Sequence, residues 1–166
     1  MEYVNPSRDA TQAAHNLAAY IVRRFAPNGI GTLKLQKLMY YAQGWHLGFL
    51  DAPIFTDRME AWKHGPVLPG IYQFHKTTSE VVSWPQGNPN ALNGVTQALV
   101  DTVLDTYGGK SGWALREQTH DEAPWAEAWA ACQEGRIQRY PITETAVKQY
   151  FSDQVRAMNH AGTGAD

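Results

Sequence analysis

The stretch LKLQKLMYYAQGWHLGFLDAPIFTDRMEAWKHGPVLPGIY, from Leu33 to Tyr72, sets a long helical pattern ahead of a short extended segment and a Gly-Pro turn. Leu35, Leu38, Met39, Ala42, Trp45 and Phe49 recur at three- and four-residue spacing, which predicts an amphipathic helix with Thr32 as its cap. Tyr40, Tyr41 and His46 widen its aromatic surface. One tyrosine of an adjacent pair must point away from the stripe, so Tyr40 and Tyr41 divide between core and partner surface, whereas Trp45 and Trp62 read as core. Gly44 and Gly48 each cost about 1 kcal/mol relative to alanine, and close packing against another backbone is the expected compensation. Downstream, Ile54–Phe55 and Met59–Trp62 flank Thr56, Asp57 and Arg58 and predict a two-stranded hairpin too small to stand alone. Lys63, His64, Gly65 and Pro66 then turn the chain into a short helix from Pro69 to His75.

Working outward, Ala14, Leu17, Ala18, Ile21, Val22 and Phe25 form an earlier helix, capped by Asp9 and stopped before Pro27. The prolines, glycine and asparagines of SWPQGNPN, residues 83–90, mark a loop. Leu92, Val95, Leu99, Val103 and Leu104 predict a helix over 91–107 that ends at Gly108 and Gly109. Ser111 caps a short helix to Gln118, and Pro124 opens another, with Asp121 and Glu122 placed to favour its N-terminal dipole by about 0.3 to 1 kcal/mol. Thr143 caps a last helix to about Met158, stapled by Ile142 against Val147. The expected fold is therefore mainly α, a compact single-domain helical fold with one small two-stranded hairpin. Residues 1–9 read as a short arm, 10–158 as the domain and 159–166 as a flexible tail.

A chain of 166 residues and 18.5 kDa buries roughly 70% of its unfolded surface on folding, enough for a core of its own. Its net charge of -2 disfavours nonspecific binding to nucleic acid or anionic membrane, and no run of apolar residues is long enough to span a bilayer. One cysteine, Cys132, excludes an intrachain disulfide framework and a multi-cysteine zinc site, and fits the reducing cytoplasm expected for this chain.

The six histidines include no HExxH pair and no i, i+4 pair; GxGxxG, GxxxxGK[ST] and GxSxG motifs are also missing, so neither metal nor cofactor is expected. His64 and His120 sit beside turns, where an imidazole locks a loop by bonding a carbonyl. The competing reading makes one of them a hydrolase residue working with Glu60, Asp121 or Glu122. Arg23, Arg24, Lys34 and Lys37 form either a solvated face or a docking patch for an acidic partner or RNA.

Four segments, KLQKLMYYAQGWHL, EAWKHGPVLPGIY, THDEAPWAEAW and ITETAVKQYF, occur in the order that characterises one family, and the pairing of EAWxxGPV with THxxxPW is their most specific feature. The chain resembles the SocA-like Panacea antitoxin domain, known also from prophage-associated GepA-type proteins. The likeness spans roughly Ala10 to Phe151. It implies a compact helical domain without catalytic residues, encoded beside a toxin that it neutralises by direct stoichiometric binding. Many such toxins block translation, and a protease is a further possible partner. Leu35, Lys37, Leu38, Tyr40, Tyr41, Ala42, Glu60, Ala61, Trp62, Gly65, Pro66, Tyr72, Thr119, His120, Pro124 and Trp125 hold family-like positions, which marks them as fold-defining. Tyr40, Tyr41, Gln43, His46, Arg58, His64 and the 83–90 loop are the expected partner contacts. Many relatives carry an added DNA-binding segment; with about nine residues ahead of the first helix, operator binding is not expected here. The alternative function is a phage-encoded adaptor or anti-defence protein that binds a host factor. Self-association is left open.

Overall fold

The computed structural model describes residues 9–135 and 140–163. Within them the chain forms seven helices and two small sheets. The mainly helical architecture agrees with the sequence-based expectation.

The first helix, α1 (Gln12–Arg24), is capped by Thr11, whose hydroxyl accepts from the Ala14 amide, and not by Asp9. Asp57 fixes that cap from outside, its carboxylate accepting from the Thr11 amide at 2.8 Å. After β1 (Ile30–Gly31), α2 (Thr32–Leu50) occupies the middle of the domain. Leu35 through Ala42 are all buried, so this half of α2 is enclosed on every side instead of presenting one apolar stripe. Thr32 is its first residue, and Gly31 takes the cap position without a side-chain bond.

The expected hairpin is displaced along the chain. Ile54 and Phe55 form no strand because the Gln43 amide takes up their backbone groups: the Ile54 amide donates to Gln43 Oε1 at 2.8 Å, and Gln43 Nε2 donates to the Phe55 carbonyl at 2.7 Å. Instead β2 (Met59–Trp62) pairs antiparallel with β3 (Gly65–Val67) across the Lys63–His64 turn, and on its other edge with β5 (Tyr140–Ile142). Pro66 and Pro141 both lie on the outer strands, where a missing N–H leaves no ladder bond unmade. A second sheet pairs β1 with β4 (Glu80–Val81). Sheet content thus exceeds the single hairpin expected.

The short helix α3 spans Pro69–His75, and α4 (Gly94–Tyr107) is capped by Asn93. α4 runs antiparallel to α2: Thr96 Oγ1 bonds His46 Nε2, Tyr107 stacks on Tyr41, and the Gly108 carbonyl accepts from Lys34 Nζ. α5 (Gly112–His120) is capped by Ser111, and α6 (Ala123–Gly135) follows. Finally α7 (Glu144–Thr163) begins with Thr143 accepting from the Ala146 amide. Ile142 and Val147 are both buried there, as a hydrophobic staple requires. This helix continues past Met158 to Thr163.

Phe151 of α7 is the central rivet. Its ring meets Tyr40, Tyr41 and Trp45 edge-on with centroids 5.0 to 6.3 Å apart. A Cβ on Gly44 would fall inside that ring, and one on Gly48 would lie 3.0 Å from the Phe151 backbone. The two glycines are what let α7 approach α2.

Candidate interaction site

Four of the family-like residues, Lys37, Gly65, Pro66 and Thr119, meet at the β2–β3 turn. Gly65 adopts φ +107°, where an added Cβ would be strained and would lie 2.5 Å from Lys37 Cε and 2.9 Å from Thr119 Oγ1. Lys37 reaches this turn from α2 with no exposed surface, and its ammonium donates to the Pro66 carbonyl at 2.9 Å. No carboxylate among the described residues pairs with it. Burial, helped by the nearby Arg116 charge, pushes its pKa down to about 7. Lys37 therefore does not belong to a solvated basic face; the other three cations are engaged with Asn90, Asp105 and the Gly108 carbonyl.

The second family motif closes on the first from α5 and α6. Trp125 Nε1 donates to the Trp62 carbonyl at 2.8 Å, and Trp62 packs edge-on against Tyr72. His120 stacks flat on Trp125 with centroids 3.7 Å apart. Its buried Nε2 has no hydrogen-bond partner among the described residues, so it is not the carbonyl-locking imidazole expected. His64 is exposed, and its Nδ1 accepts from Arg116 Nε at 2.9 Å. Neither histidine bonds a carboxylate. Burial, followed by the Arg116 charge, lowers the pKa of both.

Glu122 corrects a second expectation. Its carboxyl is buried and takes hydrogen bonds from Tyr41 Oη at 3.1 Å and Tyr40 Oη at 3.4 Å, so it is no surface charge serving a helix dipole. Burial pushes its pKa up to about 7 against the opposing effect of those hydroxyls.

The expected partner contacts separate by burial. Tyr40, Tyr41, Gln43 and His46 lie inside the fold: the tyrosines on Glu122, Gln43 on the 54–55 backbone, and His46 between the Ala52 carbonyl and Thr96. None of these four side chains is presented on the surface of the domain. Arg58 remains 39% exposed while paired with the buried Glu60, and His64 faces solvent. Within the 83–90 loop, Trp84 is buried and donates to His15, while the Asn88 amide donates to Asn16, which ties the loop to α1.

Two surfaces were not anticipated. The first is an apolar groove of about 440 Å³ between the end of α2, α4 and α7, lined chiefly by Trp45, Phe49, Leu99, Val103, Tyr107 and Met158. Phe49 is 51% exposed and Met158 54%. The signal available for it was the apolar spacing on α4, whose Leu99 and Val103 are four residues apart and both line the groove. The second is the exposed Trp113 of α5, covered by the Arg116 guanidinium at 4.5 Å; a tryptophan and an arginine three residues apart on a helix carry that signal.

Among the described residues there is no group of three metal-ligating side chains and no helix long and apolar enough to cross a membrane. No solved structure matches the chain. Antitoxin SocA of Caulobacter vibrioides (strain NA1000 / CB15N) is 46% identical over 44 residues, which cover 26% of this chain and 23% of that relative. The chain thus spans under a quarter of that relative's length. The sequence profile of the antitoxin SocA-like, Panacea domain matches residues 35–126, beginning at Leu35 and ending one residue past Trp125, so it encloses the α2, β2–β3 and α5–α6 convergence described above. Matched over more than half its length and carrying these residues in mutual contact, the chain belongs to the antitoxin SocA-like Panacea domain family.

Proposed function

We propose that this domain neutralises a toxin encoded by a neighbouring gene through direct, stoichiometric binding, without turnover of any substrate. Membership of an antitoxin family supports a toxin partner in general terms. The observation that carries the binding mode is the open groove between α2, α4 and α7. Large apolar side chains left in solvent at Phe49 and Met158, contiguous with Trp45 and Leu99, are the feature that distinguishes a partner surface from scattered surface hydrophobics. A partner seated there covers the groove and its rim, burying about 1,200 to 2,000 Å² in total, with the aromatic side chains as anchors. A translation-blocking toxin is the partner class expected from the family likeness.

Growth of cells that express the neighbouring toxin tests the reading. Co-expression of the wild-type chain restores growth, and Phe49→Asp at equal abundance does not. Growth rescued equally by the Phe49→Asp chain would exclude the groove, and no rescue by the wild type would exclude the function.

A further inference from the structure

We propose that the opposite end of α2 carries a second docking site, a basic and aromatic face that receives an acidic segment of the same toxin. The inference rests on the antitoxin reading above and adds to it the charge and the place of a second contact.

The face is assembled from three elements. α5 starts against the first turn of α2, where a Cβ on Gly112 would lie 3.0 Å from the Lys34 amide nitrogen. The Lys63–His64 turn joins it through the Arg116–His64 hydrogen bond, and Trp113 lies 5.9 Å from the His64 ring. Trp113 is 57% exposed in the first turn of α5, yet Arg116 holds it from one side, so its ring is already oriented before any partner arrives. Tryptophan and arginine are the residue types that dominate binding hot spots.

The charge is lopsided. Leaving out the buried Lys37, residues 32–36, 63–64 and 110–118 hold four cations, Lys34, Lys63, Lys110 and Arg116, against one carboxylate, Glu117. The rest of the chain holds ten cations against fifteen carboxylates. A region of +3 therefore stands on a chain of -2. Glu117 pairs with Arg116, but the carboxylates beyond it do not cancel the remaining charge: Glu60 is buried on Arg58, Asp121 sits past the far end of α5, and Glu80 Oε1 lies against Gly29. α2 adds its own positive end, with no side-chain cap and no acidic residue in its first turn.

Beside Lys63 and His64 lies a hollow of about 250 Å³ walled largely by Leu33, Trp62, Val67 and Tyr72. Its size and apolar walls suit one aliphatic or aromatic side chain. The occupant is thus a short acidic stretch with an apolar residue in it, whose carboxylates meet the exposed Lys63 while the apolar side chain fills the hollow. RNA is the weaker match, because a region of three net charges supplies little of the phosphate neutralisation on which such binding depends. The antiparallel course of α4, from His46 to Lys34, links this face with the apolar groove, so one partner can engage both.

Binding of the purified neighbouring gene product to the full chain, measured by calorimetry at several salt concentrations, tests the inference. Trp113→Ser is expected to weaken binding about thirtyfold and Lys63→Glu about tenfold, and Lys63→Glu also flattens the salt dependence. Both side chains are exposed, so both variants keep the wild-type melting temperature. Wild-type affinity and salt dependence in both variants overturn this site while leaving the antitoxin reading intact. Absence of any wild-type binding removes both. Salt-sensitive binding of a labelled RNA oligonucleotide that these substitutions abolish, with the protein complex unaffected, assigns the face to RNA and overturns the proposal.

Discussion

The two ends of α2 are built on opposite principles. Toward its start, polar groups are driven inside and each is answered: Gln36 bonds both the amide and the carbonyl of Leu68, Lys37 bonds Pro66, and Tyr41 bonds Glu122. Toward its end Gln43 and His46 are also buried and bonded, but apolar groups are left outside beside them, with Trp45 and Phe49 lining an open groove. Nineteen residues at 1.5 Å each set these ends about 28 Å apart. The difference separates what specifies the fold from the surface proposed to meet a partner. Buried polar groups tolerate few alternative surroundings, so the residues around them, Gly65, Thr119, Trp125 and Pro66, form the recognisable motif. An exposed apolar surface is under no such constraint.

The strongest way to break this contrast is Phe151→Ala, because that ring touches both halves of α2. Loss of a fully buried phenyl group is expected to cost about 3–5 kcal/mol in denaturant unfolding and to weaken both ends together. Gly65→Ala strikes the polar end alone. The positive φ and the crowding by Lys37 and Thr119 predict a loss of roughly 2–4 kcal/mol, again read from the unfolding midpoint, with the groove unchanged in the folded fraction. Phe49→Asp acts on the other end. Stability should stay within about 0.5 kcal/mol, while partner affinity falls by about 2 kcal/mol or more, roughly thirtyfold.

Smaller effects come from pH. Lys37 titrates at about 7 when folded and at about 10.4 when unfolded, so between these values the unfolded chain holds the extra proton and stability rises with pH. Glu122 titrates at about 7 when folded and at about 4.3 when unfolded, so there the folded chain holds the extra proton and stability falls as pH rises. The two groups together predict a local minimum of stability near pH 7, with slopes of at most about 1.4 kcal/mol per pH unit for each. Lys37→Met should flatten the upper limb and Glu122→Gln the lower, as measured by urea unfolding from pH 4 to 10. A profile identical in wild type and variants would show that neither buried charge is coupled to folding.

The helices were legible because their signals are local. Ser111, Thr143 and Gly108 mark ends that depend on neighbouring backbone alone, and the structure uses all three as caps. Thr11 was missed because Asp57, 46 residues away, stabilises it as a cap. The hairpin was misplaced for a similar reason: a single amide, Gln43, substitutes for the partner strand that Ile54 and Phe55 lack.

The proposed partner surface was the least legible. An aromatic residue in a helical pattern looks the same whether it ends in the core, as Tyr40 and Tyr41 do, or in solvent, as Phe49 and Trp113 do. The difference is made by α7 and by Glu122, far along the chain. Lys37 and Glu122 read as surface charges because nothing local announces that the Gly65 turn and a tyrosine pair will enclose them.

The most direct test is titration of the purified neighbouring toxin with the purified chain while the toxin's activity is followed. Stoichiometric neutralisation predicts a linear fall to zero at one equivalent, with a stable complex recovered by size-exclusion chromatography. Full inhibition at a small fraction of an equivalent, or activity that persists at excess with the two proteins eluting apart, would contradict the account.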